Sequence, residues 1–358
     1  MSVARFRLPE LADDLAFAHS RAELSSAVGV PAVVVDLVGL HRHGLASPDV
    51  VAAALAELPT VTIAVRPDPH DLVAEAYAAA FDVVVSAAHP DELDEVLESV
   101  VRSPFAAATL ALLLRGAEAR SIGEGLVAES MAYSLLQSGP EFLDWRAARP
   151  VRNRPTEIGP AVLTEREDDI LTITLARPHV HNAFSSRLRD GLVHALELAL
   201  GDPSIERVVL DGAGPSFCSG GDLDEFGSFP DPAHAHLIRL TRSAGRLIAA
   251  LGDRVEVHLH GAAMGSGIEL AAFAPRVVAD PNTVIALPEL ALGLVPGAGG
   301  TVSLPRRVGR QRTALLALSG RRIDAATALD WGLIDEIDEI AELSDAERSG
   351  ADRQRPMS

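Results

Sequence analysis

The sequence predicts an α/β protein. Three observations carry that expectation: short apolar runs ended by Gly or Pro, longer segments with apolar residues three and four apart, and an alternation of the two kinds along the chain. The elements are clearest after Arg154. ILTITLARP (170–178) reads as a strand stopped by Pro178, and SSRLRDGLVHALELALGD (185–202) has the spacing of an amphipathic helix. IERVVLDGAG (205–214) is a buried strand running into a glycine turn. PAHAHLIRLTRSAGRLIAAL (232–251) predicts one further helix, and VEVHLHG (255–261) a strand. A helix from about Gly265, a strand at RVVAD (276–280) and a short strand at TVIAL (283–287) complete the alternation.

The first half repeats part of this rhythm. LAELPTVTIAV…DLVAEAYAAAFDVVVS (55–86) echoes IAALGDRVEVHL…GSGIELAAFAPRVVAD (248–280) at an offset of 194 residues, which sets Glu75 opposite Glu269. PAVVVDLVG (31–39) echoes IERVVLDGAG in the same way. Residues 103–149 are helical by pattern, with breaks expected at Gly116, Gly123, Gly125 and Gly139. PVRNRPTEIGP (150–160) reads as a linker, and the polar tail after about Ala341 is expected to be frayed.

Composition narrows the function classes. The chain has 358 residues, 48% of them hydrophobic but only 4% aromatic, so Ala, Val and Leu must build the core. A net charge of −19 argues against a nucleic-acid partner. All 31 cationic residues are Arg, so any phosphate grip is a guanidinium or a backbone amide. One cysteine, Cys218, precludes an internal disulfide. Neither a signal peptide nor a membrane span is expected, and a cytoplasmic location follows from these readings.

Two carboxylates stand out in the apolar segment 261–300: Glu269 behind a glycine pair, and Glu289 after a proline. Two acids meeting in one buried cleft are the equipment of acid–base chemistry. Two turns of small residues, in DGAGPSFCSGGDL (211–223) and HGAAMGSGIE (260–269), let backbone N–H groups approach a ligand closely. Facing each other, they would form an oxyanion hole, worth ~3–4 kcal/mol of transition-state stabilisation per donor. Cys218 reads as a small buried thiol. His234, His236, His258 and His260 are spaced so that neighbours diverge, and no metal is expected.

FCSGGDL, GSGIEL and PELALGLVPGAGGT, preceded by RPHVHNAF (177–184) and followed by ATALDWGLIDEI (326–337), together resemble the crotonase superfamily of enoyl-CoA hydratases and isomerases. The resemblance covers roughly residues 161–340. It implies a crotonase-like fold, a spiral of ββα units, in the second half, with a CoA thioester as substrate and no cofactor. By position it makes Glu269 and Glu289 the catalytic pair and Gly221 and Ser266 the oxyanion-hole amides, with Gly297 orienting the water. It places His179, Val180, Ser219, Asp222 and Leu223 at the CoA. His179 stands where relatives often carry Lys, which leaves Arg177, Arg152 or Arg154 as substitutes at the phosphates. A homo-oligomer, trimer or hexamer, is implied as well.

The chain departs from the family pattern in two places. After GLIDEI only about twenty polar residues follow, where the family continues into covering helices. Residues 103–150 resemble those helices. The expected organisation is therefore a degenerate crotonase-like region (1–102), a helical cap-like segment (103–150), a linker (151–160), a catalytic domain (161–340) and a disordered tail (341–358). In the first half Asp71-Leu72-Val73 replaces Gly265-Ser266-Gly267, so no second active site is expected. Retention of both glutamates favours a hydratase. An isomerase or another crotonase-type acyl-CoA enzyme, and a non-catalytic acyl-CoA-binding scaffold, are the alternatives.

Overall fold

The computed structural model describes residues 2–15, 18–40, 45–67, 71–150, 158–228 and 231–339. Most of the expected linker, with Arg152 and Arg154, and the whole expected tail lie outside the described residues. The chain divides into two compact units. The first comprises Met1–Trp145, Pro288–Val295 and Val308–Arg321, and the second Arg146–Leu287, Pro296–Arg307 and Arg322–Ser358.

The first unit opens with β1 (Ala4–Arg7), α1 (Leu8–Leu15), α2 (Ala18–Glu23), β2 (Ala32–Asp36), α3 (Pro48–Ala56), β3 (Val61–Arg66), α4 (Leu72–Ala78), β4 (Val83–Ser86) and α5 (Pro90–Arg102). Its four strands form a sheet in the order β1-β2-β3-β4, every pair parallel. Parallel neighbours need a crossover, which the intervening helices supply. Val33, Val35 and Ala64 pack with Leu11, Leu55 and Tyr77 on one face. Val34, Ile63 and Val83, side by side in register, are buried on the other, the face-to-face alternation of a strand covered on both sides.

Three helices follow: α6 (Pro104–Arg115), α7 (Ile122–Gln137) and α8 (Pro140–Ala148). The chain turns by 113° between α5 and α6. Gly116 ends α6 and Gly139 precedes α8, as the pattern predicts, but Gly123 and Gly125 lie inside α7 and do not break it. A capping box explains the difference. Ser121 Oγ accepts the Glu124 N–H at 3.3 Å, and the Glu124 carboxylate accepts the Ser121 N–H at 2.9 Å. The box starts the helix ahead of both glycines, and burial of Leu126, Tyr133 and Leu136 on its packed face offsets their cost of ~1 kcal/mol each.

A buried ion pair anchors this unit. Arg115 donates to both Asp82 oxygens, at 2.8 and 2.7 Å, and to the Leu58 and Thr60 carbonyls at 2.7 and 2.9 Å. The Thr62 N–H and hydroxyl complete the coordination of Asp82, each at 2.8 Å. From the segment 308–321, Arg310 and Gln311 donate to the Phe81 carbonyl, each at 2.9 Å.

The second unit contains β5 (Val162–Glu167), β6 (Ile170–Leu175), α9 (Ser186–Gly201), β7 (Arg207–Gly212), α10 (Pro232–Thr241), α11 (Ala244–Leu251), β8 (Val255–Leu259), β9 (Ala262–Met264), α12 (Ser266–Ala271), β10 (Arg276–Ala279) and β11 (Val284–Ala286). After α13 (Gly300–Ser319) come β12 (Ile323–Asp324), α14 (Ala325–Trp331) and β13 (Glu336–Ile337). Helix α13 is broken at Gly309, and its two halves go to different units. A six-stranded sheet, β13-β10-β8-β7-β6-β5, is parallel except for the β5–β6 hairpin, and β12-β11-β9 form a second small sheet. The single helix expected over 232–251 is two helices. Arg242 leaves the helical conformation, and Ser243 caps α11 through the Arg246 N–H at 3.3 Å. A serine hydroxyl competes for backbone donors, which favours a cap over a helix interior.

The 194-residue echo is reproduced in strand register. Ile63 pairs with Val83 and Ala64 with Val84 in the first unit; Val257 pairs with Val277 and His258 with Val278 in the second. The order and sense of β1-β2-β3-β4 match those of β6-β7-β8-β10. Among the described residues, the first unit has no counterpart of the small sheet β12-β11-β9.

Breaking the Asp82–Arg115 pair strips a buried carboxylate of its bidentate partner and leaves the more distant Arg310, at 3.8 Å, as the cation beside it. Arg115→Ala is expected to lower the unfolding free energy by ~3–5 kcal/mol, read from the urea midpoint. A loss below ~1 kcal/mol would show that the pair is not the anchor.

Candidate active site

Both small-residue turns belong to the second unit, and the structure brings them together. Cys218 bridges to Ala263 of β9: its N–H donates to the Ala262 carbonyl at 3.0 Å, and its own carbonyl accepts from Met264 at 2.9 Å. Cys218 Sγ lies 3.8 Å from Ser266 Oγ at the start of α12. The other edge of the turn is tied to the RPHVHNAF segment. Phe184 donates to the Gly220 carbonyl at 2.8 Å and accepts from Asp222 at 3.1 Å.

That parallel bridge decides where Gly221 points. Phe184 bonds the residues on either side of Gly221, so the Gly221 N–H is directed away from it. Ser266 is the first residue of α12, whose first helical bond runs from the Glu269 N–H to the Gly265 carbonyl at 2.9 Å, so the Ser266 N–H has no acceptor within the helix. Among the described residues neither amide donates to another backbone group. Both are therefore open to an external oxygen.

Glu269 sits one turn further along α12 and is 2% exposed. Its Oε2 accepts the Ala298 N–H at 2.7 Å and the Gly300 N–H at 2.8 Å, and the Gly297 amide adds to them. These donors come from the PGAGG turn that begins α13, so the carboxylate lies against a helix N-terminus. A Cβ on Gly300 would fall 2.7 Å from Glu269 Cγ and 2.9 Å from Oε2, which requires glycine there. Ser303 Oγ donates to the Glu269 carbonyl at 2.8 Å and holds its backbone. Desolvation outweighs the three amides and pushes the Glu269 carboxyl up from 4.5 to about 7. The Gly297 amide, expected at the water, is thus engaged by the carboxylate itself.

Glu289 belongs to the first unit. It is 8% exposed and opens a short 3-10 turn, Glu289–Leu292, that ends at Gly293. Within its own unit α5 packs against this turn.

The residues assigned to CoA are close in the fold but differ in character. The Ser219 N–H donates to the His181 carbonyl at 2.9 Å, which joins the two segments that carry them. His179 and Ser219 are exposed, while Val180 and Leu223 are half-buried. Asp222 is buried, and its carboxylate pairs with Arg177 at 3.2 Å. Arg177 is itself buried, so it is not the substitute phosphate grip; its guanidinium is committed to Asp222 and to the Ala183 carbonyl at 2.5 Å. Asn182, in a left-handed conformation, locks the same corner by accepting from the Arg177 N–H at 2.7 Å and donating to the Ala213 and Ser216 carbonyls, each at 2.8 Å. Burial pushes the Cys218 thiol up to about 11, which leaves it a packing residue.

In the first unit the corresponding helix start is closed. Asp71 caps α4, its carboxylate accepting the Val73 and Ala74 N–H groups at 2.9 and 3.1 Å. Glu75, the counterpart of Glu269, is exposed and paired with Arg66.

The second half of the chain is similar to known proteins. The family model for enoyl-CoA hydratase/isomerase matches residues 165–354. The chain is 36% identical over 182 residues to the 2,3-dehydroadipyl-CoA hydratase of Escherichia coli, covering 49% of this chain and 68% of that protein. It is 33% identical over 189 residues to the 1,2-epoxyphenylacetyl-CoA isomerase of the same organism, covering 51% and 72%. Among solved structures, the enoyl-CoA hydratase from Thermoplasma volcanium is 36% identical and aligns with a TM-score of 0.47, covering 51% of this chain and 73% of that one. The chain belongs to the enoyl-CoA hydratase/isomerase family, and its second half carries the crotonase fold. No single helix among the described residues is long and apolar enough to cross a membrane.

The raised Glu269 carboxyl has a consequence for stability. The folded protein holds a proton there that the unfolded chain releases, so stability falls as pH rises from about 4.5 to about 7. Glu269→Gln removes this dependence and is expected to exceed the wild type in stability above pH ~8, by on the order of 3 kcal/mol. Denaturation midpoints at pH ~5 and ~8 test this; equal pH slopes for the two proteins would refute it.

Proposed function

We propose that the protein is an enoyl-CoA hydratase, adding water across the 2,3 double bond of a 2-enoyl-CoA. The observation that carries this reading is a fully buried glutamate with a carboxyl near neutrality, one turn from an open backbone amide. A group poised there exchanges protons in either direction at physiological pH. The N–H groups of Gly221 and Ser266 would hold the thioester oxygen and stabilise the enolate that forms as water adds at C3. Of the two glutamates, one as carboxylate takes the proton of the attacking water, and the pair returns a proton to C2, so that a C–O and a C–H bond replace the C=C π bond. Gly297 then contributes to orienting the water through the carboxylate that it holds.

The acyl-CoA would lie along His179, Val180, Ser219 and Leu223. Asp222 would act there through its backbone, since its side chain is tied to Arg177. Assembly as a homo-oligomer, trimer or hexamer, is part of the same reading. The second reading is an isomerase working with one carboxylate, because relatives of similar identity include both activities.

Hydration of crotonyl-CoA and of a longer 2-enoyl-CoA, followed by loss of the conjugated absorbance, decides between them. Glu269→Gln and Glu289→Gln are each expected to lower kcat by ~10²–10⁴. Double-bond migration in a 3-enoyl-CoA without hydration would establish the isomerase. With Glu269 as the base, kcat/KM should rise through about pH 7 and then level, as the carboxyl loses its proton.

A further inference from the structure

The helices α6–α8 precede the catalytic domain in sequence, yet the segment that carries Glu289 packs within their unit. The contact is close and specific. Gly293, which ends the Glu289 turn, has φ +70°, and its N–H donates to the Leu290 carbonyl at 3.0 Å while Leu294 donates to the Glu289 carbonyl at 3.1 Å. A Cβ on Gly293 would lie 2.6 Å from Glu141 Cβ and 2.7 Å from both the Glu141 carbonyl carbon and the Phe142 nitrogen. Two of those atoms are backbone and cannot rotate away. The first turn of α8 is thus the floor on which the Glu289 turn closes.

Glu141 also fixes that floor. Its two carboxylate oxygens accept the Phe105 and Ala106 N–H groups at 2.8 and 3.0 Å, capping α6 just past the 113° elbow. Phe142 is 2% exposed and stacks on Trp145 at 5.6 Å. Remove the Glu141 carboxylate and the start of α6 loses two acceptors, so α8 loses its register against α6.

We infer that Glu141 is a positioning residue for Glu289: the clamp between α6 and α8 sets the backbone against which Gly293 closes the Glu289 turn. The inference rests on the hydratase reading, in which Glu289 acts on the water. It assigns the N-terminal helices a direct part in placing a catalytic carboxylate.

The test measures kcat and KM for 2-enoyl-CoA hydration with Glu141→Ala, Glu141→Gln and Gly293→Ala in the full chain, each also in a Glu289→Gln background. Glu141→Ala and Gly293→Ala are expected to lower kcat about 10- to 100-fold, the scale of a misplaced catalytic group, with KM within about twofold. Glu141→Gln, which keeps an acceptor, should recover most of the loss. In the Glu289→Gln background the same changes should cost less than about twofold, because their effect runs through Glu289.

Full kcat in a folded Glu141→Ala or Gly293→Ala protein overturns the inference, as does an undiminished loss in the Glu289→Gln background. Gly293→Ala keeps the α6 cap, so full kcat in that protein still overturns the inference if Glu141→Ala does not fold, and Glu141→Gln then carries the test of the carboxylate itself. A wild type whose hydration depends on Glu289 but is indifferent to Glu141 and Gly293 sinks the inference and spares the hydratase. A wild type that hydrates no 2-enoyl-CoA overturns both.

Discussion

The second unit is organised around the burial of one carboxylate. Placing Glu269 out of water is costly, and only convergent donors make it tolerable. Those donors are amides at the start of α13, which side chains would crowd out; hence the small residues of PGAGG. For the carboxylate to reach them, α12 must start at a fixed place. That start is set by backbone bonds of the small sheet: Gly265 donates to the Ala286 carbonyl of β11, and β9 is bridged to Cys218. These bonds fix the Ser266 amide, and the Phe184 bridge aims that of Gly221. The Ser266 amide thus opens the same helical turn that carries the buried acid.

The two units show how little separates a site from its absence. Both contain a β–α–β element in the same register, 194 residues apart. In the first, an aspartate precedes the helix and its carboxylate consumes the amides of Val73 and Ala74. In the second, Gly265 has no side chain to offer, and the amide behind it stays open. The carboxylates follow suit: Glu75 faces solvent with Arg66 as partner, whereas Glu269 is enclosed. The first unit also buries a carboxylate at Asp82, paired with Arg115, a structural use of the same chemistry.

The α/β class, the main strands of the second half and the two small-residue turns were legible because they depend on local pattern. Strands β1 and β5 were not read, and the crotonase fold followed from the resemblance of ordered motifs. Helix limits near glycine and serine were less legible. Gly123 and Gly125 look like breaks until the Ser121–Glu124 capping box is considered, and the pause at Ser243 is hidden in a continuous apolar stripe. S-x-x-E at 121–124 was the signal available in the sequence for the first of these.

Charged residues were read least well, because a side chain's role depends on what surrounds it. Arg177 and Asp222 are 45 positions apart and both suit a CoA site by type, yet burial turns them into each other's partner. Residue types and their spacing determined by themselves that this chain would fold as α/β layers and present two glutamates beside glycine turns. Tertiary structure alone decided that Glu269 would lose its water and gain three amides, which moves its proton into the working range. It alone placed the Glu289 turn on α8, more than a hundred residues earlier in the chain. Desolvation and close backbone approach are sums over neighbours, and neighbours distant in sequence are known only once the chain has folded.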